Sequence, residues 1–376
     1  MTEEVIAQLQ KLMGPEFQVE YVSRLRGYVV FRADERYVSD DQISQLIARL
    51  LSNGYFPRIQ RQYGNLFVHV VPQKVADKPA RIWINVLLFL LTIFSTMMAG
   101  AIMLQKDFFS DFSLILAGWP YSLAVMLILT AHEMGHYLAA RYHKLKVTLP
   151  YYIPLPIPAF HFGTLGAFIK IKSPIPSRLA LLDVGAAGPI SGFVVSIIFL
   201  VIGYANLPDL PGIIAYVEQM HPWDVHDQGI NLVLGKSLLF AFFNDVLAGG
   251  RLPMNEVYHF PFIFAGWIGF LVTALNLIPI GQLDGGHILY ALFRKKARLA
   301  GMISFLLLLI LNFVLIIRFF SFVWVLWIIL ILFLIGFRHP PTMQDDPPLN
   351  FTRRVIGWIT LSIFILCFTP LPIYIQ

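Results

Sequence analysis

Two kinds of hydrophobic pattern divide the chain. Up to about residue 75 the apolar positions recur at short periods, and from Ile82 onward they merge into long runs. In the first part, Glu3 to Met13 carries a helical period. The stretches FQVEYVS and YVVFRAD, on either side of a turn at Arg26-Gly27, alternate or are rich in β-branched residues, as strands are. Ser39 stands three residues before Gln42, the spacing of a capping box, and predicts a helix that stops near Gly54. FPRIQRQ and LFVHVV flank the turn YGN and predict two more strands. The order αββαββ implies a small soluble α+β domain over 1–75, near the lower size limit for independent folding. It contains no catalytic constellation; a regulatory or docking module and a plain stabilising cap both fit it.

From Ile82 the runs reach about 20 residues, enough to cross a bilayer. Seven are counted, at about 82–104, 114–140, 180–204, 258–282, 301–317, 319–336 and 354–372. The expected fold class is therefore an α-helical polytopic membrane protein with about seven transmembrane spans, 82–376 forming the transmembrane domain.

Composition strengthens that reading. The 376 residues are 57% hydrophobic and 13% charged, whereas charged residues make up roughly a quarter of a soluble protein. The net charge of +6 raises nucleic acid as a partner, but no RNA- or DNA-binding motif occurs, and the cations fall in short clusters beside the apolar runs. Lys74, Lys78 and Arg81 precede run one; Arg141, Lys144, Lys146, Lys170, Lys172 and Arg178 follow run two; Arg294, Lys295, Lys296 and Arg298 follow run four; Arg353 and Arg354 stand at run seven. The alternate connections, QKDFFSD and 205–257, are acidic or poor in Lys and Arg. The positive-inside rule then puts the N-terminus in the cytoplasm and the C-terminus outside. MTEEVIAQLQKLM lacks the basic start and apolar core of a secretory signal, so the N-terminus is expected to stay where it is made. Cys367 is the single cysteine and lies in an apolar run, which excludes an internal disulfide and a cysteine zinc site.

Chemistry concentrates in ILTAHEMGHYLAARYHK (128–144), directly after an apolar run. On a helix His132 and His136 share a face and can hold one metal ion, while Glu133 reaches a water on that ion. Two histidines and a carboxylate at membrane depth are costly unless they face a cavity or a metal. A catalytic zinc takes a third protein ligand and keeps one open position. Asp183, Asp245, Glu256, Asp284, His287 and His143 are candidates for that ligand. His132 lies about nine residues before Arg141, so the ligand must come from the cytoplasmic half of another span, which removes Asp245 and Glu256. Asp284, in LNLIPIGQLDGGH, fits, because its Pro and Gly neighbours would break the helix and let backbone line a cavity. His287 remains possible on geometry.

HEMGH, followed about 150 residues later by NLIPIGQLDGGH, resembles the site-2 proteases, the intramembrane zinc metalloproteases of peptidase family M50, marked by HExxH and a distant NxxPxxxxDG. The resemblance covers about 115–300 as a protease core. It implies one Zn2+ held by His132, His136 and Asp284, Glu133 as catalytic base, and Asn276, otherwise only a buried polar residue, as a stabiliser of the substrate carbonyl. His287 then becomes a neighbour that shapes the site. HFGTLGAFIKIKSPIPS (161–177) looks similar to a family strand that offers its edge to an extended substrate, and GAAGPISG (185–192) supplies small residues for close helix packing. Asp183 reads as interfacial rather than as a ligand.

No PDZ-like insertion separates the motifs and no CBS-like pair follows the last spans; the layout looks most like the EGY-type members of plants and cyanobacteria. HPWDVHD (221–227) carries His221, Asp224, His226 and Asp227, but its spacing matches a solvated loop better than a second metal site. The activity implied is cleavage of a transmembrane helix near its cytoplasmic end. The partners implied are the lipid bilayer of a plasma or thylakoid membrane and a membrane-spanning substrate, such as a membrane-anchored regulator of the anti-sigma-factor kind. The alternatives are a metal-binding transporter or channel, whose ion path these groups would line, and a catalytically silent scaffold.

Overall fold

The computed structural model describes residues 3–15, 17–25, 28–72, 81–157, 162–220, 232–344 and 348–375. The Arg26-Gly27 turn, Lys74, Lys78, His161 and the HPWDVHD loop fall outside them. The chain packs as two compact units. The first comprises Met1–Ala80, Ser173–Leu181 and Pro340–Leu349; the second comprises Arg81–Lys172, Leu182–His339 and Asn350–Gln376.

The first unit contains α1 (Glu3–Met13), β1 (Val19–Leu25), β2 (Tyr28–Asp34), α2 (Asp40–Ser52), β3 (Tyr55–Gln62) and β4 (Asn65–Pro72). Its four strands form an antiparallel sheet in the order β1-β2-β4-β3. Strand alternation buries Val29 and Phe31 of β2 and Leu66, Val68 and Val70 of β4. The apolar stripes of the helices, including Leu9 and Met13 of α1 and Ile43, Leu46 and Leu50 of α2, complete that core. Ser39 begins α2 with a full capping box: its hydroxyl accepts from the Gln42 amide, and its own amide donates to the Gln42 side chain. A segment distant in sequence meets the β3 edge at Ile59 and is itself backed by a second. The Ile59 amide donates to the Met343 carbonyl at 2.7 Å, and the Met343 and Gln344 amides donate to Ile175 and Pro176. An open strand edge invites pairing with other chains, and here it is occupied.

The second unit is mostly helical. It holds α3 (Ile82–Met103), a 3-10 turn at Phe112–Gly118 that runs into α4 (Trp119–Tyr142), the hairpin of β5 (Tyr151–Pro154) and β6 (Thr164–Phe168), and α5 (Arg178–Ala205) from Leu182 onward. Next come α6 (Leu210–Met220), β7 (Leu232–Leu234), α7 (Leu238–Ala241), α8 (Pro261–Asn276), α9 (Asp284–Phe293), α10 (Ala297–Phe319), α11 (Val325–Leu330), which a π-turn extends to Ile335, α12 (Phe351–Cys367) and β8 (Ile373–Ile375). β7 and β8 pair antiparallel.

Among the described residues, four helices are long and apolar enough to cross a membrane: Ile82–Met103, Phe112–Tyr142, Arg178–Ala205 and Ala297–Phe319. These are runs one, two, three and five. Run four ends at Asn276, leaving a helix of 16 residues; run six is helical only over Val325–Ile335; run seven gives a helix of 17 residues. Apolar length overstates helix length here because the breaks are conformational. Run four stays apolar through LIPI (277–280) after α8 has ended at Asn276, and Phe320 at φ 51° and Gly336 at φ 68° end α10 and the helix after it. On α10, Leu307, Phe313 and Ile317 are each more than 60% exposed, an outward apolar face that suits lipid rather than water.

Ser39→Ala removes one half of the capping box and should destabilise α2 by about 1 kcal/mol. Hydrogen exchange of the full chain should then show faster exchange of the first-turn amides of α2, with the amides of α4 unchanged.

Candidate metal centre

The HEMGH residues lie on α4, where His132 and His136 are one turn apart and their rings meet edge to face at 4.8 Å between centroids. The third group arrives from a helix break. After α8 ends at Asn276, the apolar segment containing Pro279 and Gly281 runs irregularly, and α9 starts at Asp284. A carboxylate in the first turn of a helix is favoured by the helix dipole. Asn276 and Asp284 thus occupy the two lips of one break, and both meet the histidines.

The three groups are mutually close. His136 Nε2 is 3.1 Å from His132 Nε2 and 3.1 Å from Asp284 Oδ2, and His132 Nε2 is 3.4 Å from the same oxygen. A shared proton satisfies one such pair, whereas a cation among the three atoms satisfies all of them. Zinc bonds of about 2.0–2.1 Å in tetrahedral geometry set ligand atoms about 3.3–3.4 Å apart, close to the distances found. Two imidazoles and a carboxylate form a donor set suited to zinc. Among the described residues, this is the cluster of His, Cys, Asp and Glu side chains placed to hold a metal ion.

Surrounding groups fix these side chains. His136 Nδ1 is 2.7 Å from the Val184 carbonyl of α5, so Nδ1 carries the proton and Nε2 presents its lone pair to the centre. The Asn276 side-chain nitrogen is 3.2 Å from His132 Nε2. Glu133 is 5% exposed, and its carboxylate accepts from the Ile169 backbone amide just beyond β6. All of these groups line one cavity of about 260 Å³ that is also walled by Ala167, Phe168 and His287.

The GAAGPISG stretch is what lets α5 approach. A side-chain carbon at Gly188 would run into the imidazole of His136, and one at Gly192 would meet His132 at 3.1 Å. The packing role expected of these small residues is therefore directed at the two histidine rings.

The other candidates are engaged elsewhere. Asp183 takes a bidentate contact from Arg353 at 2.7–2.8 Å and a contact from His143 Nε2 at 2.8 Å. Asp245 pairs with Lys236 at 2.6 Å. Glu256 accepts from Asn255. His287 lines the metal cavity, but its Nδ1 is 2.6 Å from His339 Nε2. The sequence reading missed Val184, Ile169 and His339. The first two act through backbone atoms and leave no signature, and His339 carries no motif of its own.

A family model described as peptidase family M50 matches residues 120–315, or 196 of 376 positions. The chain belongs to peptidase family M50. The M50 match encloses His132, Glu133, His136, Asn276 and Asp284. Over 341 residues the chain is 30% identical to "Probable zinc metalloprotease EGY2, chloroplastic" of Oryza sativa subsp. indica, which covers 84% of this chain and 58% of that protein. The protein of the same name in Arabidopsis thaliana is 31% identical over 289 residues, covering 75% and 48%. "Probable zinc metalloprotease EGY1, chloroplastic" of Arabidopsis thaliana is 30% identical over 243 residues, covering 58% and 42%. The chain spans about half the length of the curated relatives it matches. No solved structure matches it.

Gly188→Ala should displace the His136 ring and lower bound zinc well below that of wild type. Elemental analysis of the folded, purified protein measures this directly, and an unchanged zinc content would contradict the packing argument.

Proposed function

We propose that the chain is an intramembrane zinc endopeptidase that cleaves a transmembrane segment of a membrane-anchored protein near its cytoplasmic end. The observation that carries this reading is the convergence of His132, His136 and Asp284 with Glu133 and Asn276 in one cavity beneath the β6 segment. Membership of the M50 family and the names of the EGY relatives support it.

In this reading His132, His136 and Asp284 bind the metal. Zinc, when bound, acidifies a water and polarises the scissile carbonyl. Glu133, held by the Ile169 amide, takes a proton from the attacking water and returns it to the leaving peptide nitrogen. Asn276, beside His132, donates its side-chain amide to the carbonyl oxygen as negative charge builds there. Among the described residues β6 pairs with β5 in a two-stranded sheet, so its other edge can hold an extended substrate over the cavity. A substrate helix must unwind first, because its carbonyls are otherwise hydrogen-bonded.

The membrane arrangement is part of the same reading. Contacts within the second unit sort the helix ends into two groups. At the cation-rich group, Asn85 of α3 meets the Leu149 and Pro150 carbonyls, His143 and Arg353 meet Asp183, and His287 meets His339. At the other, His259 meets Met103, β7 meets β8, Trp267 meets Gly235, and Trp324 meets Pro370. The short helices α8, α11 and α12 each connect one group to the other, which supports seven crossings, with local bilayer thinning accommodating their length. With the cation-rich group facing the cytoplasm, the N-terminal domain is cytoplasmic, in a plasma or thylakoid membrane.

Purified wild-type protein should hold about one zinc per chain. Asp284→Ala should lose or weaken it, while Glu133→Gln should retain it and lose cleavage; a Glu133→Gln protein that still cleaves would end the assignment of Glu133 as base. A substrate span interrupted by Gly, Pro or Asn should be cut faster than a poly-Leu span of equal length, and equal rates of product formation on gels would show that unwinding is not required.

A further inference from the structure

A second cavity, of about 350 Å³, lies beside α9 in the membrane unit. Helical spacing divides α9 between the two cavities: Asp284 and His287 line the metal cavity, and Gly286, Leu289 and Tyr290 line the second. Among the described residues, the charged side chains that line the second cavity are those of Arg294, Arg298, Arg338 and His339. Its remaining lining includes the apolar Leu289, Ala297 and Phe337.

Three features mark it as a site for an anion. Guanidinium groups match phosphate oxygens in pairs, and three arginines line this one cavity. The positive end of α10, a 23-residue helix, borders the cavity at Ala297 and Arg298, yet the first turn of α10 contains no acidic residue to offset it. Arg294 also sits at φ 55° and ψ −126°, backbone angles that a glycine would adopt at lower cost. The chain places a guanidinium there nonetheless.

The neighbourhood indicates the source of the anion. Phe293, Leu299, Met302 and Ile303 are exposed on the same turn and on the start of α10, so arginines and apolar surface adjoin as they do where a helix leaves a bilayer. Basic pockets between membrane helices bind anionic headgroups through such an arrangement. We propose that this cavity binds the phosphate of an anionic phospholipid, with Arg294, Arg298 and Arg338 as its ligands and the apolar surface of α10 against the acyl chains. His339, whose ring stacks on Tyr290 at 4.5 Å and which hydrogen-bonds His287, joins the wall of this site to the wall of the metal cavity.

The test uses the full chain, purified in detergent, stripped of lipid and titrated with phosphatidylglycerol, phosphatidylcholine or inorganic phosphate at constant ionic strength. Thermal unfolding and retained lipid phosphorus are the readouts. Phosphatidylglycerol should bind at least about tenfold more tightly than phosphatidylcholine. Arg298→Gln/Arg338→Gln should abolish that preference while leaving the lipid-free melting temperature unchanged. Arg294→Gly, which relieves the backbone strain, should weaken binding without loss of folding. The charge-matched control Arg141→Gln/Lys170→Gln should behave as wild type. Inorganic phosphate that binds as tightly as the lipid, and is lost in the same variants, would uphold the phosphate site with free phosphate as its source. Equal binding of the two lipids, or a preference that survives the double arginine variant, would overturn the proposal. None of these readouts depends on zinc or on peptide cleavage, so the outcome is independent of the protease assignment.

Discussion

The structure turns on three buried ionisable groups, His132, Glu133 and His136, and the half-buried Asp284, among helices built almost wholly of apolar residues. Burying charge is expensive unless each group is paired, and every neighbouring element contributes to that pairing. α5 supplies the Val184 carbonyl to His136, α8 supplies Asn276 to His132, and the segment after β6 supplies the Ile169 amide to Glu133. The three ligand atoms then face one another, and one cation suffices to neutralise their mutual crowding. Removing any one group would leave the others desolvated without compensation, so the cluster bears on stability whatever its chemistry.

Such a cluster requires backbone that is not helical at membrane depth. Irregular segments are tolerated there only where protein or a cavity covers them. The break between α8 and α9 meets that condition and places Asn276 and Asp284 at its two lips. Gly285 and Gly286 close it tightly, since a side-chain carbon at either would strike the carbonyls of Leu277, Ile280 or Gly281. The same two glycines therefore hold the break shut and orient the helix that carries Asp284.

Much of this was legible because it is local. The αββαββ order, the capping box at Ser39 and the helical pairing of His132 with His136 each depend on residues within one or two turns, and each stands in the structure where the pattern put it. Asp284 was separated from His287 by resemblance to a family motif, since no local pattern could choose between them. What the sequence did not reveal depends on long-range partners: the pairing of β7 with β8, the cover that 342–344 lays on the β3 edge, and the contact of His339 with His287. The number of spans was obscured for another reason. The sequence stays apolar through 277–280 and mostly so through 320–324, where the backbone is not helical, so apolar length and helix length part company.

Asp183 shows how a residue outside the metal set still governs it. It immediately precedes Val184, whose carbonyl fixes the His136 tautomer, and it is held from two sides, by Arg353 of α12 and by His143 at the end of α4. A bidentate guanidinium contact constrains orientation as well as distance. The first turns of α5 are thereby locked in register with α4, and that register brings Gly188 and Gly192, one and two turns further along, against the rings of His136 and His132. A slip of one residue along α5 would replace Gly188 with Ala187 or Pro189, and neither leaves room for an imidazole. α12, remote in sequence from both motifs, thus helps to set the geometry of the metal centre through a single ion pair.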